Sequence, residues 1–300
     1  MNKFVAIEGR AVSFTRAFFL ALSQMGVFSA EVPVYFARTN AEKNVYQAQF
    51  LSAMEEVKDR FVLEYLPEHE DGFFDPSTFM VKTHFGYIKN FYFGDKMNVS
   101  LRVKNWINED GSVFDGGFIL EAKFTSEQGL HTVGKQWILF DPIVPAKVYY
   151  KYDRSGDFPY SLLVTRPLVN HKCCLSIDKI AELFGNAREE MALVLIPKFL
   201  GDIRSENYGM VTRNANYEYY RPVYRGQKVY VQMRIVRMGA TNASFVLQAD
   251  YTTTDSRGED IVNVRAEQEI VYINKEGKRE NLPPELLGLV KFSIDQAKIA

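Results

Sequence analysis

The feature that most limits how this 300-residue chain can fold is an internal duplication. "FILEAKF" (118–124) matches "FVLQADY" (245–251) position by position in residue class, and "YFGDK" (92–96) matches "YRGQK" (224–228). A third pair, "QWILF" (136–140) and "QEIVY" (268–272), keeps the same order, with spacings between partners of 127 to 132 residues. Small drift of that kind is what loop insertions produce in a repeat. After each Gly the apolar residues alternate in phase: Met97, Val99, Leu101 and Val103, then Val229, Val231, Met233 and Ile235. Period two marks half-buried antiparallel strands.

Each half carries one strong helix ahead of its strands. Tyr46, Phe50, Met54, Val57 and Phe61 follow helical spacing in the first; Ile177, Ile180, Phe184, Ala187 and Met191 do so in the second, which Pro197 ends. An apolar helical stripe needs a surface to bury it, and the following strands offer one. The expected class is α+β, each half a long helix wrapped by an antiparallel β-sheet. The Pro-rich stretch 141–159 reads as the linker, dividing the chain into an N-terminal unit, 1–148, and a C-terminal unit, 149–300.

Composition removes several classes of function. With 36 basic and 37 acidic residues, the net charge of −1 gives no field to recruit nucleic acid or an anionic membrane. The run "AFFLAL" (17–22) is too short to span a bilayer, and no convincing cleavage site follows it. Adjacent Cys173 and Cys174 make neither a disulfide framework nor a metal site, and fit a reducing cytosol. A cytoplasmic protein is expected. No phosphate loop, metal cluster or Ser–His–Asp elbow stands out, so neither metal nor cofactor is expected.

Strand, polar turn, long helix and antiparallel strands, met twice, resemble the hotdog fold in tandem, a double hotdog. "TNAEKNVYQAQF" (39–50), with Thr39, Asn40, Asn44, Val45, Tyr46 and Phe50, is similar to the enediyne polyketide thioesterases, within the wider 4-hydroxybenzoyl-CoA thioesterase-like family. In the second half, Asn170, Gly185, Arg188 and Glu189 keep that pattern, while Cys174, Leu175 and Ser176 replace Asn-Val-Tyr. Lys58 stands where the family has Arg. Eighteen positions separate Asn40 from Lys58, and eighteen separate Asn170 from Arg188.

The resemblance implies hydrolysis of an acyl or polyketide thioester on an acyl carrier protein or coenzyme A, without a catalytic carboxylate. Asn and a cation, with backbone donors at a helix start, would hold the carbonyl and its oxyanion. Asn40, Asn170, Lys58, Arg188 and Tyr46 are the expected catalytic residues, with Asn44, Phe50 and His171 binding substrate. Each has a plainer reading. Asn40 and Asn44 also suit helix capping, and Tyr46 suits the core. Lys58 and Arg188, each about 80° from its apolar stripe, suit snorkelling cations. Glu55 and Glu56 read as a solvated helix face. Two rival functions stand beside hydrolysis: an acyltransferase or decarboxylase acting through Tyr46, and a non-catalytic acyl-binding protein. The fused halves would form a pseudo-dimer, with further assembly left open.

Overall fold

A computed structural model describes residues 14–34, 47–67, 80–141, 148–149, 158–165, 174–195, 208–239, 241–274, 276 and 278–299. Among them run four helices, α1 (Phe14–Met25), α2 (Gln47–Tyr65), α3 (Ile177–Leu195) and α4 (Pro284–Ile299). The first-half strands are β1 (Phe28–Pro33), β2 (Met80–Tyr87), β3 (Lys96–Ile107), β4 (Val113–Ser126) and β5 (Gly129–Leu139). Then follow β6 (Val148–Tyr149), β7 (Phe158–Leu163), β8 (Tyr208–Tyr219), β9 (Lys228–Met238), β10 (Ser244–Thr254) and β11 (Asp260–Asn274).

All eleven strands form one antiparallel sheet, ordered β1-β3-β4-β5-β2-β8-β11-β10-β9-β7, with β6 paired to β11 off that path. Read from its two edges inward, the order is the same: β1, β3, β4, β5, β2 against β7, β9, β10, β11, β8. The halves join where β2 meets β8, in the register Lys82↔Glu218, His84↔Asn216 and Gly86↔Asn214. Position 216 lies 132 residues after 84, the offset that also separates Gln136 from Gln268. Equivalent residues therefore pair with each other at the centre, and a pseudo-twofold axis passes between His84 and Asn216.

Matching segments make matching local structure. Before β3, the Tyr92 amide donates to Asp95 Oδ2 at 2.8 Å; before β9, the Tyr224 amide donates to Gln227 Oε1 at 2.7 Å. The glycine inside each turn, Gly94 and Gly226, has φ of +89° and +86°, a conformation that a side chain disfavours. Of the alternating strand residues expected to face inward, Met97, Val99, Leu101, Val229, Val231 and Met233 are fully buried, Ile235 nearly so, and Val103 partly buried.

The two 19-residue helices α2 and α3 lie 130 positions apart in sequence and pack against one another. Both lie on the inward face of the sheet. On α2, Phe50, Leu51, Met54, Val57, Phe61 and Val62 are buried, a band wider than one stripe because the helix has several neighbours.

Two helices break the symmetry and were not expected. From α1, Phe18 stacks against Phe118 at 6.4 Å and edge-on to Phe61 of α2 at 5.0 Å. At the other end, α4 begins at a Pro-Pro pair suited to a helix start and packs on β9. No helix among the described residues is long and apolar enough to cross a membrane.

Candidate active site: two unequal seams

Each half has one seam between its long helix and the sheet where buried polar groups meet. In the first, between α2 and β5, Lys58 is 1% exposed. Its Nζ lies 2.5 Å from Glu55 Oε2, one turn back on α2, and donates to Gln136 Oε1 at 3.1 Å. Gln136 Nε2 in turn donates to Glu55 Oε1 at 2.9 Å. A buried cation needs a counter-charge and filled hydrogen bonds, and this closed triangle supplies both. Glu55 keeps 20% of its side chain exposed and is the member that solvent can reach.

The second half supplies a neighbour to this seam. Tyr219 of β8 is buried, and its hydroxyl makes no hydrogen bond of good geometry among the described residues. Burial raises its pKa well above the ordinary tyrosine value; Thr83 counters that, and the charge of Glu55 adds to it. The first seam thus draws on both halves of the sheet.

The second seam, between α3, β8 and β11, repeats the plan with different groups. Arg188 Nη1 donates to Thr212 Oγ1 at 3.1 Å and lies 3.5 Å from Gln268 Oε1. Gln268, fully buried like its equivalent Gln136, donates from Nε2 to the Tyr217 hydroxyl at 3.2 Å. At the helix offset of 130, Arg188 corresponds to Lys58 and Gly185 to Glu55. The carboxylate of the first seam has no counterpart in the second.

Of the residues singled out from the sequence, Lys58 and Arg188 thus fall at equivalent places, each on a buried glutamine. Lys58 lies deeper than the expected border of core and pocket, because Glu55 and Gln136 draw it in. Glu55 is not on a solvated face. Glu56, which pairs with Arg60 at 2.5 Å, is on one. Phe50 is 3% exposed and sits in an aromatic group with Tyr87, Phe91 and Phe124, at centroid distances of 5.4, 6.0 and 5.3 Å. Asn40, Asn44, Tyr46, Asn170 and His171 lie outside the described residues.

Glu55, Gln136, Gln268 and Tyr219 were missed as site residues. A readable signal existed for the glutamines: a polar residue recurs at an inward strand position in both halves. No group of three or more potential metal ligands occurs among the described residues. Cys174 is buried.

Residues 169–290 match the Thioesterase-like superfamily. No curated protein sequence matches the chain. Among solved structures, the putative oleoyl thioesterase of Lactobacillus plantarum is 7% identical, with a TM-score of 0.59 over 82% of this chain and 96% of that one. The 12:0-ACP thioesterase of Umbellularia californica is 12% identical, with a TM-score of 0.56 over 84% and 98%. An acyl-ACP thioesterase from Bacteroides thetaiotaomicron VPI-5482 is 8% identical, with a TM-score of 0.54 over 83% and 98%. Identities this low establish likeness of fold, and that likeness runs through both halves. The chain has the α+β architecture of a double hotdog, and the match to the thioesterase-like superfamily falls on its second half, residues 169–290.

Proposed function

We propose that the protein hydrolyses an acyl thioester, carried by an acyl carrier protein or coenzyme A, at the first seam. The observation that carries this reading is the Glu55–Lys58–Gln136 triangle, placed where α2 meets the sheet of a thioesterase-like fold. Water adds to the thioester carbonyl carbon, the C–S bond breaks, and the thiol leaves protonated. The products are the free acid and the carrier thiol. Such a step needs a group to orient or deprotonate the water and donors for the oxyanion.

Glu55 is the group suited to the water. It is reachable from solvent, and Lys58 and Gln136 hold its carboxylate in one orientation. Asn40, seven residues before α2 begins, and the amides that begin that helix would hold the carbonyl oxygen. Tyr46 and Asn44 would line the entrance. Residues 1–148 and 149–300 would act as the two members of an internal pseudo-dimer, with the substrate thioester as the partner of the site.

A second reading of the mechanism has its own support. Both oxygens of Glu55 already accept hydrogen bonds from Lys58 and Gln136, so the carboxylate has structural partners of its own. In that reading Asn40 and the helix amides act alone, and the triangle only shapes the slot.

The experiment is thiol release from a panel of acyl-coenzyme A and acyl-carrier substrates, followed with a thiol reagent. Release by the wild-type chain is expected. A fall of about 10²–10⁴-fold in Glu55→Gln assigns the base to Glu55; an unchanged rate, with loss in Asn40→Ala, assigns the carboxylate-free route. No release from any thioester overturns hydrolysis. Mass spectrometry of the carrier afterwards separates hydrolysis from acyl transfer, which leaves an acyl adduct.

A further inference from the structure

The two seams differ in charge, and the difference comes from one position. Glu55 and Lys58 make a neutral pair at the first seam. At the second, Gly185 replaces the carboxylate, and Arg188 is met by two neutral groups, Thr212 and Gln268. Among the described residues no carboxylate pairs with Arg188. A guanidinium has five donors in a flat fork suited to two oxygens at once. Only Nη1 of Arg188 is engaged among the described residues, which leaves Nε and Nη2 to form that fork. A half-buried cation without a counter-ion is an unfavourable arrangement in a finished core and a favourable one in a binding site.

We propose that the second seam is not a second hydrolytic centre but a receptor for an oxyanion, a carboxylate or phosphate group, held by the Arg188 fork. The two sources of such a group rest on the hydrolase reading: the acid that hydrolysis releases, and the phosphates of the carrier arm or coenzyme A. The fused repeat would then have divided its labour. One seam keeps an internal carboxylate and turns over; the other has shed it and takes the negative charge from a ligand.

The test is equilibrium binding of decanoate, decanol and coenzyme A to the full chain at low salt, by calorimetry. At least one of the two anions is expected to bind tenfold or more tightly than decanol, and to weaken as salt is raised. Decanoate alone identifies the released acid as the ligand; coenzyme A alone identifies the carrier phosphate. Gly185→Glu, which restores the internal carboxylate, and Arg188→Gln, which removes the fork, should each abolish the preference. Should Gly185→Glu fail to fold, Arg188→Gln carries the test. Equal binding of anions and decanol by the wild type overturns the proposal, as does a preference that survives in Arg188→Gln.

The assay separates this proposal from the hydrolase reading. Glu55→Gln should leave anion binding intact while it removes thiol release. An anion preference that depends on Arg188, in a protein releasing no thiol, would sustain the receptor and discard the hydrolase.

Discussion

His84 and Asn216 hydrogen-bond to each other, Nδ1 to Oδ1 at 2.7 Å, across the junction where β2 of one half meets β8 of the other. They are equivalent members of the repeat, so this bond lies on the pseudo-twofold axis. Asn216→Ala removes it without touching either seam. A part-buried hydrogen bond contributes about 0.5–1.5 kcal/mol, and a loss of that size is expected in urea unfolding. Thiol release should be unchanged. A drop of several kcal/mol would mean that this single contact governs the docking of the two halves.

The Glu55–Lys58 pair should show strong coupling. Lys58→Met leaves a carboxylate facing a glutamine and apolar neighbours, and a broken buried pair costs about 3–5 kcal/mol. Because Glu55 is 20% exposed, the lower end of that range is expected. Glu55→Gln added to Lys58→Met should recover about 1–3 kcal/mol, as contacting residues do in a double-mutant cycle. Additive losses would show that the two side chains stabilise the seam independently.

Much of this arrangement was legible in the sequence, and what was not has physical causes. The strand phases, the order of the repeat and the two long helices follow from periodicity, which burial enforces directly. The equivalence of Lys58 and Arg188 followed from the family resemblance together with their equal spacing from Asn40 and Asn170. Glu55 was misjudged because a single apolar stripe describes a helix lying on one surface, whereas α2 packs against the sheet and also against α3. Positions flanking the stripe are then enclosed, and a carboxylate there is held by a buried lysine rather than by water. Tyr219 entered the first seam from 161 residues beyond Lys58, through a strand pairing that no local pattern records.

Asp59, beside Lys58 on α2, should make stability fall as pH rises. Loss of hydration next to the protein and repulsion from Glu55 and Glu56 raise its pKa from 3.8 to about 6, although Lys58 opposes the shift. The native chain therefore binds more protons at this site than the unfolded chain does between those values. The stabilisation from protonated Asp59 is complete below pH 3.8 and disappears as pH rises through about 6. Asn imitates the protonated form. The difference in urea midpoint between Asp59→Asn and wild type should grow in the variant's favour from pH 4 to pH 7.5. A difference independent of pH would place the titration elsewhere.

The outward face of the second half should prove more sensitive to loss of charge than that of the first. Asp250 is fully buried on β10, where it accepts from Arg234 Nη2 at 2.8 Å and from Arg265 Nε and Nη2 at 2.6 and 3.2 Å. β10 is buried on both faces for ten of its eleven residues. Between β3 and β4 of the first half, the pair Lys104–Glu121 spans 2.6 Å with its lysine 37% exposed. Asp250→Ala leaves two guanidinium groups close together without the carboxylate between them, at a cost of about 3–5 kcal/mol. Glu121→Ala should cost about 0–1 kcal/mol, because water takes over the lysine. Equal losses in the two variants would mean that the depth of burial does not separate the two ion pairs.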